Sequence, residues 1–126
     1  MNNITKIHTD FAPAAIGPYS QAMSVGAFVF TSGQIPMDAK GQLAGKTIQE
    51  QARQSLENVQ AVLAAAGTDC AHVVKTTCFL QDMADFASFN EIYAEFFPSC
   101  PARSCVAVKT LPKNVLCEVE AVAIVP

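Results

Sequence analysis

The residues best suited to chemistry lie near the C-terminal end of the 126-residue chain. Arg103, one of only two arginines, opens the alternating run Ala102-Arg103-Ser104-Cys105-Val106-Ala107-Val108. The next strand-like run, Leu116 to Val125, carries Glu118 and Glu120. An arginine beside a carboxylate among apolar residues is costly to bury, so the pair calls for a salt bridge or a bound anion. Side chains alternate along a strand, so Arg103, Cys105 and Ala107 share a face, as do Glu118 and Glu120. A hairpin symmetric about Leu111-Pro112 sets Cys105 opposite Glu118 and Arg103 opposite Glu120, with Glu118 diagonal to Arg103. A one-residue slip would send the arginine and the glutamates to opposite faces, so the juxtaposition depends on register.

Two readings of that hairpin stand side by side. In the first, the planar fork of Arg103 grips a small carboxylate and a nearby glutamate positions a water. In the second, the pair is a structural Arg–Glu bridge at a sheet edge. A glutamate close to Arg103 is expected to have a lowered pKa, which suits it to positioning water rather than to abstracting a proton. Cys105 reads as a packed thiol, because no basic group other than Arg103 is placed to activate it.

These strands need a scaffold, and the sequence supplies one. Thr47 to Ala66 has apolar residues at Ile48, Ala52, Leu56, Val59, Leu63 and Ala66, the spacing of a helix. Thr47 with Glu50 forms a capping box, and Gly67 follows as the terminating glycine. Arg53 and Glu57 are expected to pair on the outer face. A second helix is predicted from about Met83 to Phe97, striped by Phe86, Phe89, Tyr93 and Phe96, capped by Asp82 or Asp85 and stopped by Pro98. Strands are predicted at Ala27–Thr31 and Val73–Leu80. The segment around Pro13, Gly17 and Pro18 reads as an irregular lead-in, and Pro36–Gly45 as a polar loop turning at Lys40-Gly41. The order predicts an α+β fold with two helices on one face of a mixed sheet. The other face would be bare, and self-association would cover it.

Composition bounds the function. The chain is sized for one domain, residues 1–126. It is 51% hydrophobic and 15% charged, with a net charge of −3. The apolar surplus points to a subunit interface. Scattered lysines and a negative balance give nucleic-acid binding little support. No segment reads as a membrane span or signal peptide. Five cysteines without a CxxC pair, and only His8 and His72, argue for reduced thiols in the cytoplasm and against a zinc site.

Several separated motifs then come in one order along the whole chain: Ala14-Ala15-Ile16-Gly17-Pro18-Tyr19-Ser20-Gln21, Thr31-Ser32-Gly33-Gln34-Ile35-Pro36, Gln51 to Val59, Pro101 to Val106, and Glu118-Val119-Glu120-Ala121. By these the sequence resembles the Rid/YjgF family of reactive intermediate deaminases, its RidA branch above all, also known as endoribonuclease L-PSP. The resemblance implies a chorismate-mutase-like fold and a homotrimer with clefts between subunits. It implies hydrolysis of 2-imino acids such as 2-iminobutanoate and 2-iminopropanoate to 2-oxo acids and ammonia, without metal or cofactor. It assigns the substrate carboxylate to Arg103, with help from the main chain at Cys105, and the attacking water to Glu118. It lines the cleft with Tyr19, Ser32, Gly33 and Asn90.

Each lining residue also has a plain alternative: a core-edge tyrosine, a strand end at Ser32-Gly33, a polar helix position at Asn90. Two other functions compete. A ribonuclease would want acid–base pairs and phosphate-binding cations that this acidic chain lacks. A sensor or chaperone would bind 2-oxo acids or amino acids in the same cleft without turnover.

Overall fold

A computed structural model describes residues 3–126. Six strands form one sheet: β1 (Ile4–Ile7), β2 (Ala22–Val25), β3 (Phe28–Thr31), β4 (Val73–Leu80), β5 (Ala102–Ala107) and β6 (Cys117–Ile124). Their order across the sheet is β1-β2-β3-β6-β4-β5. All neighbours are antiparallel except β4 and β5, which are parallel. Helices α1 (Ile48–Ala65) and α2 (Phe86–Phe96) cover one face, as predicted.

Helix α1 begins where its chemistry says it should. Thr47 Oγ1 accepts from the Glu50 amide at 3.2 Å, and the Glu50 carboxylate accepts from the Thr47 amide at 3.3 Å. These two bonds satisfy donors that a helix start leaves free. Its inner face buries Ala52, Leu56, Val59 and Leu63 completely. Three polar residues, Gln51, Ser55 and Asn58, are buried on the same helix. Asp82 caps a short 3₁₀ turn (Met83–Asp85) that leads into α2, accepting from the Ala84 amide at 2.9 Å. Asp85 makes no side-chain cap. Arg53 pairs with Glu95 of α2 through two bonds of 3.1 and 2.9 Å, not with Glu57. A neighbouring helix offers a fork-to-carboxylate fit that a partner on the same helix does not.

Strand β6 alternates buried and half-buried residues throughout. Cys117, Val119, Ala121 and Ala123 face the helices, so Glu118 and Glu120 face away. The outward face also exposes Phe28, Phe30 and Val106, about half of each accessible. The lead-in holds β1 and β2, which the sequence reading missed. Lys6 interrupts β1, which is largely exposed, and β2 mixes small and polar residues, so neither shows the apolar run that marks the equally short β3.

The expected hairpin does not form. β4 lies between β5 and β6, so the strands bearing Arg103 and Glu118 are not neighbours. The cause is the helix that precedes β5. A strand, a helix and a second strand in succession make a crossover, which lays the second strand parallel to the first. β5 therefore takes the free edge beside β4, and β6 inserts on β4's other side.

Candidate active site

Register fixes where each candidate side chain points. Arg103 pairs with Thr76, which pairs with Ala121; Cys105 pairs with Cys78, which pairs with Val119. Thr76, Cys78, Val119 and Ala121 are all buried beneath the helices. Arg103 and Cys105 therefore lie on the helix-covered face of the edge strand. Glu118 pairs with Phe79, on the opposite face. Within one chain the two residues expected to share a face are thus separated by the sheet and by an intervening strand.

Around Arg103 the structure gathers Asn90, Phe86 and Tyr93 from α2. Arg103 Nη1 donates to Asn90 Oδ1 at 2.7 Å. The guanidinium carbon lies 4.7 Å from the Tyr93 ring centroid and 5.4 Å from that of Phe86. Arg103 is half-buried, and no carboxylate among the described residues forms a salt bridge with it. The structural Arg–Glu bridge is therefore absent within the described chain. Cys105 is part of this group through its strand position, and burial raises its thiol pKa despite the nearby guanidinium. Deeper thiols are raised further, Cys78 and Cys117 to about 12 and Cys70 to about 11. All five cysteines are free.

The second group forms around Glu118. Gly33 is packed so closely against it that a Cβ there would collide with the Glu118 carboxylate. The contact follows from a bridge between Gln34 and Val119, with amide-to-carbonyl distances of 2.8 and 3.2 Å in the two directions. Glu118 is half-buried, and its pKa is raised, first by loss of water and then by the charge of Glu120. This reverses the lowered pKa expected of a glutamate beside Arg103, because Arg103 is not its neighbour. Ser32 Oγ donates to the Ser20 carbonyl at 2.6 Å, and the Ser32 amide donates to the Gln21 carbonyl at 2.9 Å.

Two depressions open here. One of about 500 Å³ is lined by Tyr19, Gly33, Ile16, Met37, Pro112 and Lys113, among others. A shallower one of about 580 Å³ is lined by Tyr19 and Ser32 with Lys6 and Met23. Tyr19, more than half exposed, stands between them. Tyr19, Ser32, Gly33 and Glu118 thus form one locale, and Arg103, Asn90 and Cys105 another.

Three buried amide side chains, given no role by the sequence reading, hold the loops around the first depression. Gln21 accepts from the Thr9 amide at 2.7 Å and donates to the Thr9 and Pro13 carbonyls at 3.0 and 2.9 Å. Asn58 donates to the Ile35 and Met37 carbonyls at 3.1 and 2.7 Å. Gln51 donates to the Gly45 carbonyl at 3.1 Å and accepts from the Leu116 amide at 2.8 Å. For Gln51 and Asn58 the sequence signal was polarity on the apolar face of α1; Gln21, just ahead of β2, had no such signal. A buried amide must find partners, and here they are loop backbone.

The architecture is that of a two-layer α+β protein, two helices on one mixed six-stranded sheet, here with an arginine on the parallel edge strand and a glutamate two strands away on the open face. The chain belongs to the Rid/YjgF family, whose matching family model, described as endoribonuclease L-PSP, spans residues 9–125. A 2-iminobutanoate/2-iminopropanoate deaminase of Salmonella typhimurium is 51% identical over 122 residues, covering 94% of this chain and 95% of that protein. A RutC family protein of Pasteurella multocida is 54% identical over 123 residues, covering 94% and 95%. Among solved structures, Escherichia coli TdcF with bound serine matches with a TM-score of 0.91 at 47% identity, covering 95% of this chain and 98% of that one. Yeast Mmf1 matches with a TM-score of 0.96 at 42% identity, covering 98% and 100%.

Proposed function

We propose that this protein hydrolyses small 2-imino acids, 2-iminobutanoate and 2-iminopropanoate in the first place, to 2-oxo acids and ammonia. The observation that carries the reading is the state of Arg103: half-buried, fixed by a neutral acceptor and two rings, and free of any carboxylate partner among the described residues. A charge desolvated to that degree without an internal counter-ion is arranged for an external one. A 2-imino acid supplies it in its carboxylate. The deaminase relative and the serine bound to TdcF agree with a ligand of this kind.

The chemistry needs little more. Protonated imine and water give the 2-oxo acid and ammonium. Water adds to C2 as the C=N π electrons move to nitrogen. Proton transfer from the added oxygen to nitrogen then lets the C–N bond break. An iminium is already a good electrophile, so orientation is the main demand. Glu118, seated against Gly33, supplies the carboxylate that orients the attacking water.

Arg103 and Glu118 meet only if two copies of the chain contribute. Strands are spaced about 4.8 Å apart, and these two side chains leave opposite faces of one sheet. The apolar outer face bearing Phe28, Phe30 and Val106 offers the contact surface. We place the reaction in clefts between the subunits of a homotrimer, with Tyr19, Ser32, Gly33 and Glu118 from one copy and Arg103, Asn90 and Cys105 from the next.

The test is a coupled assay in which threonine dehydratase generates the imine and semicarbazide competes for it. Arg103→Ala is expected to abolish accelerated 2-oxo acid release while sedimentation still reports the parent assembly. Hydrolysis at the parent rate by that variant overturns the assignment. Mixing Arg103→Ala with Glu118→Gln subunits should restore about one quarter of the clefts if they are shared between copies, and none if they are not. The ribonuclease alternative finds its two histidines tied to Asp10 and Asp69 at 3.0 and 2.7 Å, and neither lines a depression described above.

A further inference from the structure

The proposed reaction turns on Arg103, and what holds Arg103 is aromatic. Phe86, Asn90 and Tyr93 recur at the four- and three-residue spacing that places side chains on one side of a helix. All three meet the guanidinium. Tyr93 is itself fixed, for its hydroxyl shares a 2.7 Å hydrogen bond with Thr76, the strand partner of Arg103. Its ring packs at 4.7 Å from Phe97 and 6.0 Å from Phe89. Phe86, at the first turn of α2, is only half-buried.

We infer that Phe86 and Tyr93 are positioning residues for substrate binding, an aromatic shelf that holds the Arg103 fork at a fixed angle toward an incoming carboxylate. The inference rests on the deaminase reading and deepens it. An arginine on an edge strand would otherwise sample many rotamers. A glutamate partner would fix it, but would occupy the fork and cancel its charge. Ring faces attract a guanidinium without consuming an N–H. Asn90 takes one N–H through a neutral oxygen and leaves the others free. The rings also displace water from one side of the cation, which strengthens a charge-assisted bond on the other. The shelf therefore sets how tightly the carboxylate is held, and bears little on the later proton transfers.

Phe86→Leu, Phe86→Tyr, Tyr93→Phe and Tyr93→Leu would be compared in three measurements: KM and kcat for imine hydrolysis, Kd for 2-oxobutanoate, and the Arg103 Nε–Hε NMR resonance. Phe86→Leu is expected to raise KM and Kd about five- to thirtyfold, the range of a partly desolvated cation–ring contact, with kcat within about twofold of parent. Phe86→Tyr should restore both, and Tyr93→Phe, which keeps the ring, should change them less than Tyr93→Leu. A leucine variant with parental KM and Kd overturns the proposal, as does a fall in kcat at constant KM. Arg103→Ala separates the two claims. If it hydrolyses imine at the parent rate, the deaminase reading fails. The shelf is then judged on the resonance alone, which ring currents should hold upfield in the parent and release in Phe86→Leu. An Arg103 resonance unmoved by that substitution refutes the shelf.

Discussion

Adding one methyl group at Gly33 perturbs the site without touching the rest of the fold. Gly33 does not have a left-handed backbone, so alanine can adopt its conformation. A Cβ built there lies 2.8 Å from the Glu118 carboxyl carbon and 3.0 Å from its Cγ. Ordinary contact begins at 3.4 Å, so the carboxyl carbon must retreat by roughly 0.6 Å and its nearer oxygen by more. A positioning group displaced on the order of 1 Å loses up to about a hundredfold in rate, so Gly33→Ala is expected to lower kcat by about ten- to a hundredfold. Stability should barely change. Alanine restricts the unfolded chain, worth about 0.4–1 kcal/mol in favour of the fold, and this offsets the strain of turning a half-buried side chain. The assay is coupled imine hydrolysis beside thermal melting and sedimentation. Adding Gly33→Ala to Glu118→Gln should cost little further, because both act on one group. Full turnover by Gly33→Ala, or a double variant with multiplied losses, refutes the reasoning that the substitution acts by displacing Glu118.

Other outcomes follow from the same geometry. Asn58→Ala strands the Ile35 and Met37 carbonyls and should lower stability by about 2–3 kcal/mol in urea denaturation, whereas a loss below about 0.5 kcal/mol would show that water replaces the amide readily. The folded state holds the Glu118 proton more tightly than the unfolded chain does, since burial and Glu120 raise its pKa. Its charge therefore weighs against the fold above that raised pKa, and the burden lifts as pH falls through it. Glu118→Gln should accordingly raise Tm at pH 7, with the gain fading in acid, while parental kcat/KM rises with pH through the same ionisation and the variant lacks that limb. Iodoacetamide at pH 8 should alkylate exposed Cys100 first and spare Cys70, Cys78 and Cys117, whose thiols are pushed up to about 11, 12 and 12; early labelling of Cys78 by mass spectrometry contradicts this.

How much could be read in advance varied by element. Helix α1 was legible to within a residue, because its cap, stripe and terminating glycine are all local signals. β4 was legible for the same reason, as a β-branched run of eight residues. β1 and β2 were not, since neither carries the apolar run of the equally short β3 and both gain their strand character from pairing. Arg103 and Glu118 stood out by type, but their hairpin was misplaced. Strands adjacent in sequence suggest a hairpin, whereas the crossover through α2 inserts β4 between them. Gln21, Gln51 and Asn58 sat within motifs already marked, yet only their buried bonds to loop carbonyls gave them a task.

The sequence by itself determined the inventory: which helices form, which residues carry charge into apolar strands, and the family they belong to. Those properties are local or cumulative along the chain, so order and spacing suffice to express them. The tertiary structure alone decided that Arg103 meets Phe86, Asn90 and Tyr93 rather than Glu118, and that Glu118 meets Gly33. Which strand lies beside which depends on crossover handedness and on the burial of a whole sheet face. One exchange of neighbours carries an arginine from a glutamate's side to the far face of the sheet.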